Sequence, residues 1–278
     1  MSNFFLGREI LVASKHKKEK VIEPILKKIE LNCFVNQDID TDIFGTFTGE
    51  IERVGNSLEN AMKKVSLSNE VTGHTLILAS EGSFSAHPMM PFVMANEEIL
   101  LLKDYENNIE IISKFISLET NFASTIVNNI DELLLFASKI KFPSHGLILK
   151  GIDTNEIFKG ITEKEVLMEK YRILKKKNMT IVAESDMRAM YNPTRMINIE
   201  RCAEKLVEKM LSLCPHCEMP GFDIVELVKG LPCSWCGLPT KSIKSFKYKC
   251  QKCSYEKIVE FPFDKREEDP QYCDYCNP

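Results

Sequence analysis

Four Cys-x-x-Cys pairs crowd the last 65 residues of this 278-residue chain: Cys214/Cys217, Cys233/Cys236, Cys250/Cys253 and Cys273/Cys276. They hold eight of the ten cysteines, while Cys33 and Cys202 stand alone. Paired thiols at this spacing suit a tetrahedral metal with sulfurs at ~2.3 Å better than they suit structural disulfides. Successive pairs are separated by 15, 13 and 19 residues, which is zinc-ribbon spacing, and eight ligands make two sites of four. Two structural Zn²⁺ ions are therefore expected, because a site closed by four cysteines has no open position for a substrate. Two pairings fit the spacing. In one, the middle pairs form a ribbon and the outer pairs share a nested site; in the other, successive pairs combine. Gly237, after the second pair, supplies a turn residue able to take positive φ. Ile243–Lys249 alternates as a strand leading to Cys250. His216 lies inside a knuckle and reads as a bystander rather than a ligand.

Composition is that of an ordinary globular chain, 44% hydrophobic and 27% charged. The formal net charge of -4 argues against a protein that coats nucleic acid. No run of 18 apolar residues is present, so no helix should span a membrane, and the first residues lack the pattern of an export signal. A cytoplasmic, reducing location is the expectation.

Up to about residue 191, strand-like runs alternate with helical periodicity, which implies an α/β domain whose sheet is flanked by helices and is mixed because of the hairpin that follows. Ile99–Lys103 and Ile109–Ile116 read as a hairpin across Asn107-Asn108. Asn192-Pro193 starts a connecting helix over 192–213, with Asn as cap and Pro in the first turn. A small two-zinc ribbon domain follows over 214–278.

Polar stretches at strand ends are where α/β ligand sites gather. After the first strand come Ser14, Lys15, His16 and Lys18, suited to phosphate at a helix start. The stretch 38–53 carries Glu50 and Arg53 among glycines and hydroxyls. Residues 79–88 read as a Gly/Ser turn presenting Glu81, so that Glu50 and Glu81 would hold Mg²⁺. Asp186, Arg188 and Arg195 follow a later strand; the arginines could clamp an anion while Asp186 orients them or binds metal.

The stretches Gly45–Arg53, Ala79–Phe84, Asp186–Ala189, Asn192–Met196 and Gly230–Thr240 together resemble an uncharacterised bacterial family, a domain of unknown function. The N-terminal half is also similar to the inosine/xanthosine triphosphate pyrophosphatase superfamily of house-cleaning nucleotide hydrolases. Ala13-Ser14-Lys15-His16 matches its first turn, Ser57, Asn60-Ala61 and Lys64-Val65 match its helix, and Glu81-Gly82 its acidic turn before a hairpin. That resemblance implies an acidic Mg²⁺ site and triphosphate contacts from the first turn, with Lys64 among the phosphate-binding residues. This sequence departs from the superfamily in carrying His16 for the usual asparagine, Glu19 for a lysine, and one carboxylate at the acidic turn.

Two functions emerge. One is Mg²⁺-dependent binding, with hydrolysis, of a nucleotide or related phosphate compound by the α/β domain, as in a nucleoside triphosphate pyrophosphatase-like hydrolase. The other is a non-catalytic zinc-ribbon protein that contacts nucleic acid or a protein partner through Lys229–Lys257. That segment has seven lysines against one acid, with Trp235, Phe246, Tyr248 and Tyr255 interleaved.

Overall fold

The computed structural model describes residues 4–14, 16–36, 56–152, 156–177 and 179–278. The chain forms two units, which divide inside one helix between Leu206 and Val207. The larger comprises Phe5–Glu106 with Ile112–Leu206; the smaller contains Asn107–Ile111 and Val207–Pro278.

The larger unit opens as alternating strand and helix: β1 (Glu9–Ala13), α1 (Glu19–Lys27), β2 (Asn32–Phe34), α2 (Ser57–Thr72) and β3 (Leu76–His87). β4 (Met90–Asp104) and β5 (Ile109–Ser117) complete a five-stranded sheet in the order β2-β1-β3-β4-β5. β1 runs parallel to β2 and β3, whereas β3 and β4 are antiparallel, so the sheet is mixed, as expected from the hairpin read across Asn107-Asn108. α2 is bounded by local chemistry. Asn56 and Glu59 form a reciprocal capping box, and Gly73 ends the helix at φ 71°, where a side chain would be strained.

On one face of the sheet, Leu11, Ala13, Ile77, Ala79 and Leu101 pack against Ala61 and Val65 of α2. Because strand side chains alternate, Glu81 falls on this same face, while Ser80 and Gly82 fall on the other. The stretch read as a Gly/Ser turn is thus corrected: residues 79–87 continue β3, paired register by register with β4, and the chain turns only at His87–Met90. Apolar burial ends partway along this hairpin. Met89, Phe92 and Met94 beyond it are exposed, Phe92 almost completely.

A second sheet was not anticipated. β6 (Ser124–Val127), α3 (Ile130–Lys139), β7 (Leu147–Gly151), β8 (Ile157–Ile161), α4 (Lys164–Lys176) and β9 (Ile181–Ser185) give an antiparallel sheet ordered β6-β9-β7-β8. Val127, Leu133, Phe136, Leu147, Leu149, Leu167, Leu174 and Ile181 form its core against the two helices. α5 (Pro193–Leu211) begins at the expected proline, and Asn192 Oδ1 accepts from Arg195 N at 3.0 Å.

The smaller unit holds β10 (Asp223–Lys229), β11 (Ile243–Lys249) and β12 (Glu256–Glu260) in one antiparallel sheet. Its core is small: Cys214, Phe222 and Cys250 are buried, with Met219 and Tyr248 packed on them.

Candidate functional site

The four knuckles share one backbone design. The residue after each second cysteine donates its N–H to the carbonyl of the first: Glu218 to Cys214, Gly237 to Cys233, Ser254 to Cys250 and Asn277 to Cys273, at 2.8–3.2 Å. Glu218, Gly237 and Ser254 take positive φ to do so. His216 N and Lys252 N also point at the sulfurs of Cys214 and Cys250, at 3.4 and 3.3 Å.

Knuckles meet in pairs. Cys214, Cys217, Cys250 and Cys253 form one tetrad, and Cys233, Cys236, Cys273 and Cys276 the other, with each set of sulfurs within 4.8 Å of one another. Neither pairing drawn from the spacing is correct, since the first knuckle joins the third and the second joins the fourth. Pairing across β10, β11 and β12 decides this, and sequence separation alone carries no record of it. The closest sulfurs across knuckles are 3.6–3.8 Å apart. That is far beyond a disulfide bond of ~2.05 Å. It matches the ~3.8 Å edge of a tetrahedron whose centre lies ~2.3 Å from each sulfur. Each tetrad can therefore hold a metal ion. The His216 ring is stacked on Tyr255, centroids 5.9 Å apart, and is not a member of either tetrad.

The lysines of β11 face carboxylates. Lys247 and Lys249 reach Glu256 at 2.9 and 3.1 Å, Lys244 lies 3.9 Å from Glu260, and Lys241 pairs with Asp274. Two of those acids lie outside the segment Lys229–Lys257, which is why its lysine excess looked unopposed. Three of its four aromatics are also engaged: Tyr248 and Tyr255 against Phe222, and Phe246 edge-on to Phe263. Trp235 is 79% exposed.

In the larger unit, charge gathers where β1 and β3 leave the apolar core. Lys18, buried just before α1, donates from Nζ to Ser80 O and Ser80 Oγ at 3.0 and 3.1 Å. Burial and then the Arg195 guanidinium lower its pKa to about 7, partly opposed by Glu98 and Glu81. On the α2 face, Lys64 Nζ meets Glu81 Oε1 at 2.5 Å. On the other face, Arg195 Nε meets Glu98 Oε1 at 2.7 Å, and Asn96 Nδ2 donates to the same oxygen at 2.9 Å. Gly82 is required beside this pair, because a Cβ there would run into both the Glu98 carboxylate and Arg195 Nη2. Ser14 Oγ and Asn60 Oδ1 are buried and have no hydrogen-bond partner among the described residues.

Asp186 and Arg188 belong to a different cluster at the end of β9. Arg188 grips Asp186 through Nε at 3.0 Å and Nη2 at 2.6 Å, Gly160 N donates to the same carboxylate, and the guanidinium covers the Tyr191 ring. The proposed site residues thus separate into Lys18, Lys64, Glu81 and Arg195 around β3, and Asp186 with Arg188 on the second sheet. His16 is half-buried in the turn after β1, while Lys15, Glu50 and Arg53 lie outside the described residues. Sequence reasoning passed over Glu98. Its signal was a carboxylate at a core-facing position of a strand, in step with Leu100 and Leu102.

Fold and site together define a mixed α/β protein that ends in two interleaved cysteine tetrads able to bind metal. Residues 64–278 match the family described as Domain of unknown function (DUF6671), and the chain belongs to that family. No curated protein matches the chain. Four of the five motifs that carried the family resemblance lie inside the matched residues; Gly45–Arg53 precedes them.

Proposed function

We propose that this is a two-zinc protein whose larger unit binds a phosphorylated small molecule where the carboxyl end of β1 meets the middle of β3, at Ser80 and Glu81. The tetrahedral spacing of the two sulfur sets supports the zinc assignment, since four-thiolate tetrahedral sites select zinc or iron. Closed by four sulfurs, neither ion would have a position for substrate. Its work is to fold a short segment with a small core.

The observation that supports phosphate binding is the buried Lys18, which feels the charges of both Lys64 and Arg195 and follows Ser14 in the same turn; Ser14 Oγ, and Asn60 Oδ1 one helical turn before Lys64, are buried without a partner among the described residues. Glu81 and Glu98 balance only part of that positive charge when Lys18 is protonated, and an anion would complete it. Lys18 sits where the turn after β1 enters α1, so its ammonium and the hydroxyl of Ser14 would meet the same phosphate group. Glu81, with Glu50, is the carboxylate assigned to Mg²⁺ if binding leads to hydrolysis, and Lys64 would have to release it.

A panel of nucleoside triphosphates, inorganic pyrophosphate and sugar phosphates tests this by thermal shift and by phosphate release with Mg²⁺. A ligand-dependent rise in Tm that Lys18→Met abolishes is the expected result. No rise for any ligand at millimolar concentration would overturn the phosphate assignment. Metal content near two zinc per chain tests the other half.

A further inference from the structure

The chain visits its two tetrads alternately. The 32 residues between Cys217 and Cys250 close the first tetrad and contain Cys233 and Cys236 of the second. The 36 residues between Cys236 and Cys273 close the second and contain Cys250 and Cys253 of the first. β10 leads from the first tetrad to the second, β11 returns, and β12 leads out again, so along the chain every strand of this sheet lies between a knuckle of one tetrad and a knuckle of the other. Had successive knuckles paired instead, each site would have closed its own loop with no ligand of the other inside it.

Direct interaction between the two ions would be largely screened. β11 has seven residues, roughly 24 Å at ~3.4 Å per residue, which exceeds the screening length of ~8–10 Å at ordinary ionic strength. What the sites share is the register of three strands. Lys249 lies opposite Asp223 and Glu256 at the first tetrad's end, and Ser245 lies opposite Val228 and Glu260 toward the other. The second tetrad is also tied to the sheet's return path, where Ser234 N donates to Glu268 O and Glu268 N to Pro232 O. The small core around Phe222 gives this sheet little to hold its register in the absence of metal.

We propose that the two tetrads load zinc as a cooperative pair: an ion at either one fixes the strand register that gathers the four thiolates of the other. This rests on the zinc reading above. The coupling is reciprocal, because binding free energies form a closed cycle.

Native mass spectrometry of the reduced, zinc-free full chain during titration with Zn²⁺ tests it. Independent equal sites leave half of the chains with one ion at half saturation, and independent unequal sites leave more. A coupling of about a hundredfold, within the range known between linked sites, leaves about a tenth. One-ion chains at half or more overturn the proposal.

A second measurement uses Cys276→Ser, which removes a ligand of the second tetrad only. Competition with a chromophoric chelator should show the first tetrad's affinity for zinc reduced tenfold or more, and an unchanged affinity overturns the coupling. Should the chain take up no zinc at all, the zinc reading fails and the coupling with it. Two ions taken up independently overturn the coupling alone.

Discussion

Glu98 and Arg195 stand 97 positions apart and meet at 2.7 Å with neither side chain reaching solvent. The pair joins the first sheet to the start of α5. Its surroundings leave little unsatisfied: Arg195 Nη1 donates to Met187 O at 2.6 Å, and Asn96 links Glu98 to Asn198. Removing one partner would strand the other charge in the interior. Glu98→Gln should cost about 3–5 kcal/mol in urea unfolding, whereas an apolar double replacement such as Glu98→Leu with Arg195→Met should cost less than either single change. Equal or greater loss in the double variant would show that the pair itself, and not the stranded charge, carries the stability.

Gly160 and Gly73 offer a matched comparison. Both take positive φ, 67° and 71°, but a Cβ at Gly160 would lie 2.7 Å from the Tyr191 ring while one at Gly73 meets nothing within 4 Å. Alanine should cost about 1–2 kcal/mol at each from backbone strain. Crowding against Tyr191 should add roughly 1–3 kcal/mol at Gly160 alone. Equal losses in the two variants, by thermal or chemical unfolding, would mean that Tyr191 moves aside freely.

Lys18 predicts a dependence on pH. Its amine, lowered to about 7 by burial and by Arg195, loses its proton in the folded chain well before the unfolded chain does near 10.5. Below about pH 7 both states hold the proton and the burial penalty is full. Between about 7 and 10.5 the unfolded state binds more protons, so stability rises with pH by up to about 1.4 kcal/mol per unit. The groups acting on Lys18 are Arg195, Glu98, Glu81 and Lys64. In Lys18→Met this contribution should vanish, so the stability difference between wild type and variant should change steadily over pH 7–9. A constant difference across that range would refute the assignment.

Chelation should unfold the smaller unit selectively. Cys214 and Cys250 form much of its core, so losing zinc would remove both ligation and packing. Hydrogen exchange after treatment with a strong chelator should show β10, β11 and β12 losing protection while β3 and β9 keep theirs. Unchanged protection in the three strands would mean that the sheet holds without metal.

Local chemistry made much of this fold legible. The capping of α5 by Asn192, the turn glycine at Gly237 and the strand Ile243–Lys249 all rest on residues within a few positions of one another. What escaped was long-range. Glu81 looked like a turn residue because Gly82 and two serines follow it, yet partners on β4 hold those residues extended, and Gly82 is there to make room for Glu98 and Arg195. The alternating pairing of the knuckles depends on three strands meeting, which no spacing between adjacent cysteines encodes. Asp186 holds Arg188, two residues away, as an orienting carboxylate was expected to, but nothing local could show that Arg195 instead reaches Glu98 on a strand nearly a hundred positions earlier.

The outer half of the β3–β4 hairpin gives the molecule an uneven sensitivity to oxidants. Met89 is 86% exposed, and Met90 and Met94 are each 40% exposed, whereas Met187 and Met210 are buried. Mild peroxide should therefore convert Met89 first, then Met90 and Met94 together with the similarly exposed Met62 and Met190, turning the apolar arm polar while the interior keeps its chemistry. Peptide mapping would read that gradient directly, and the tip residue Met89 would act as the chain's own record of oxidant exposure.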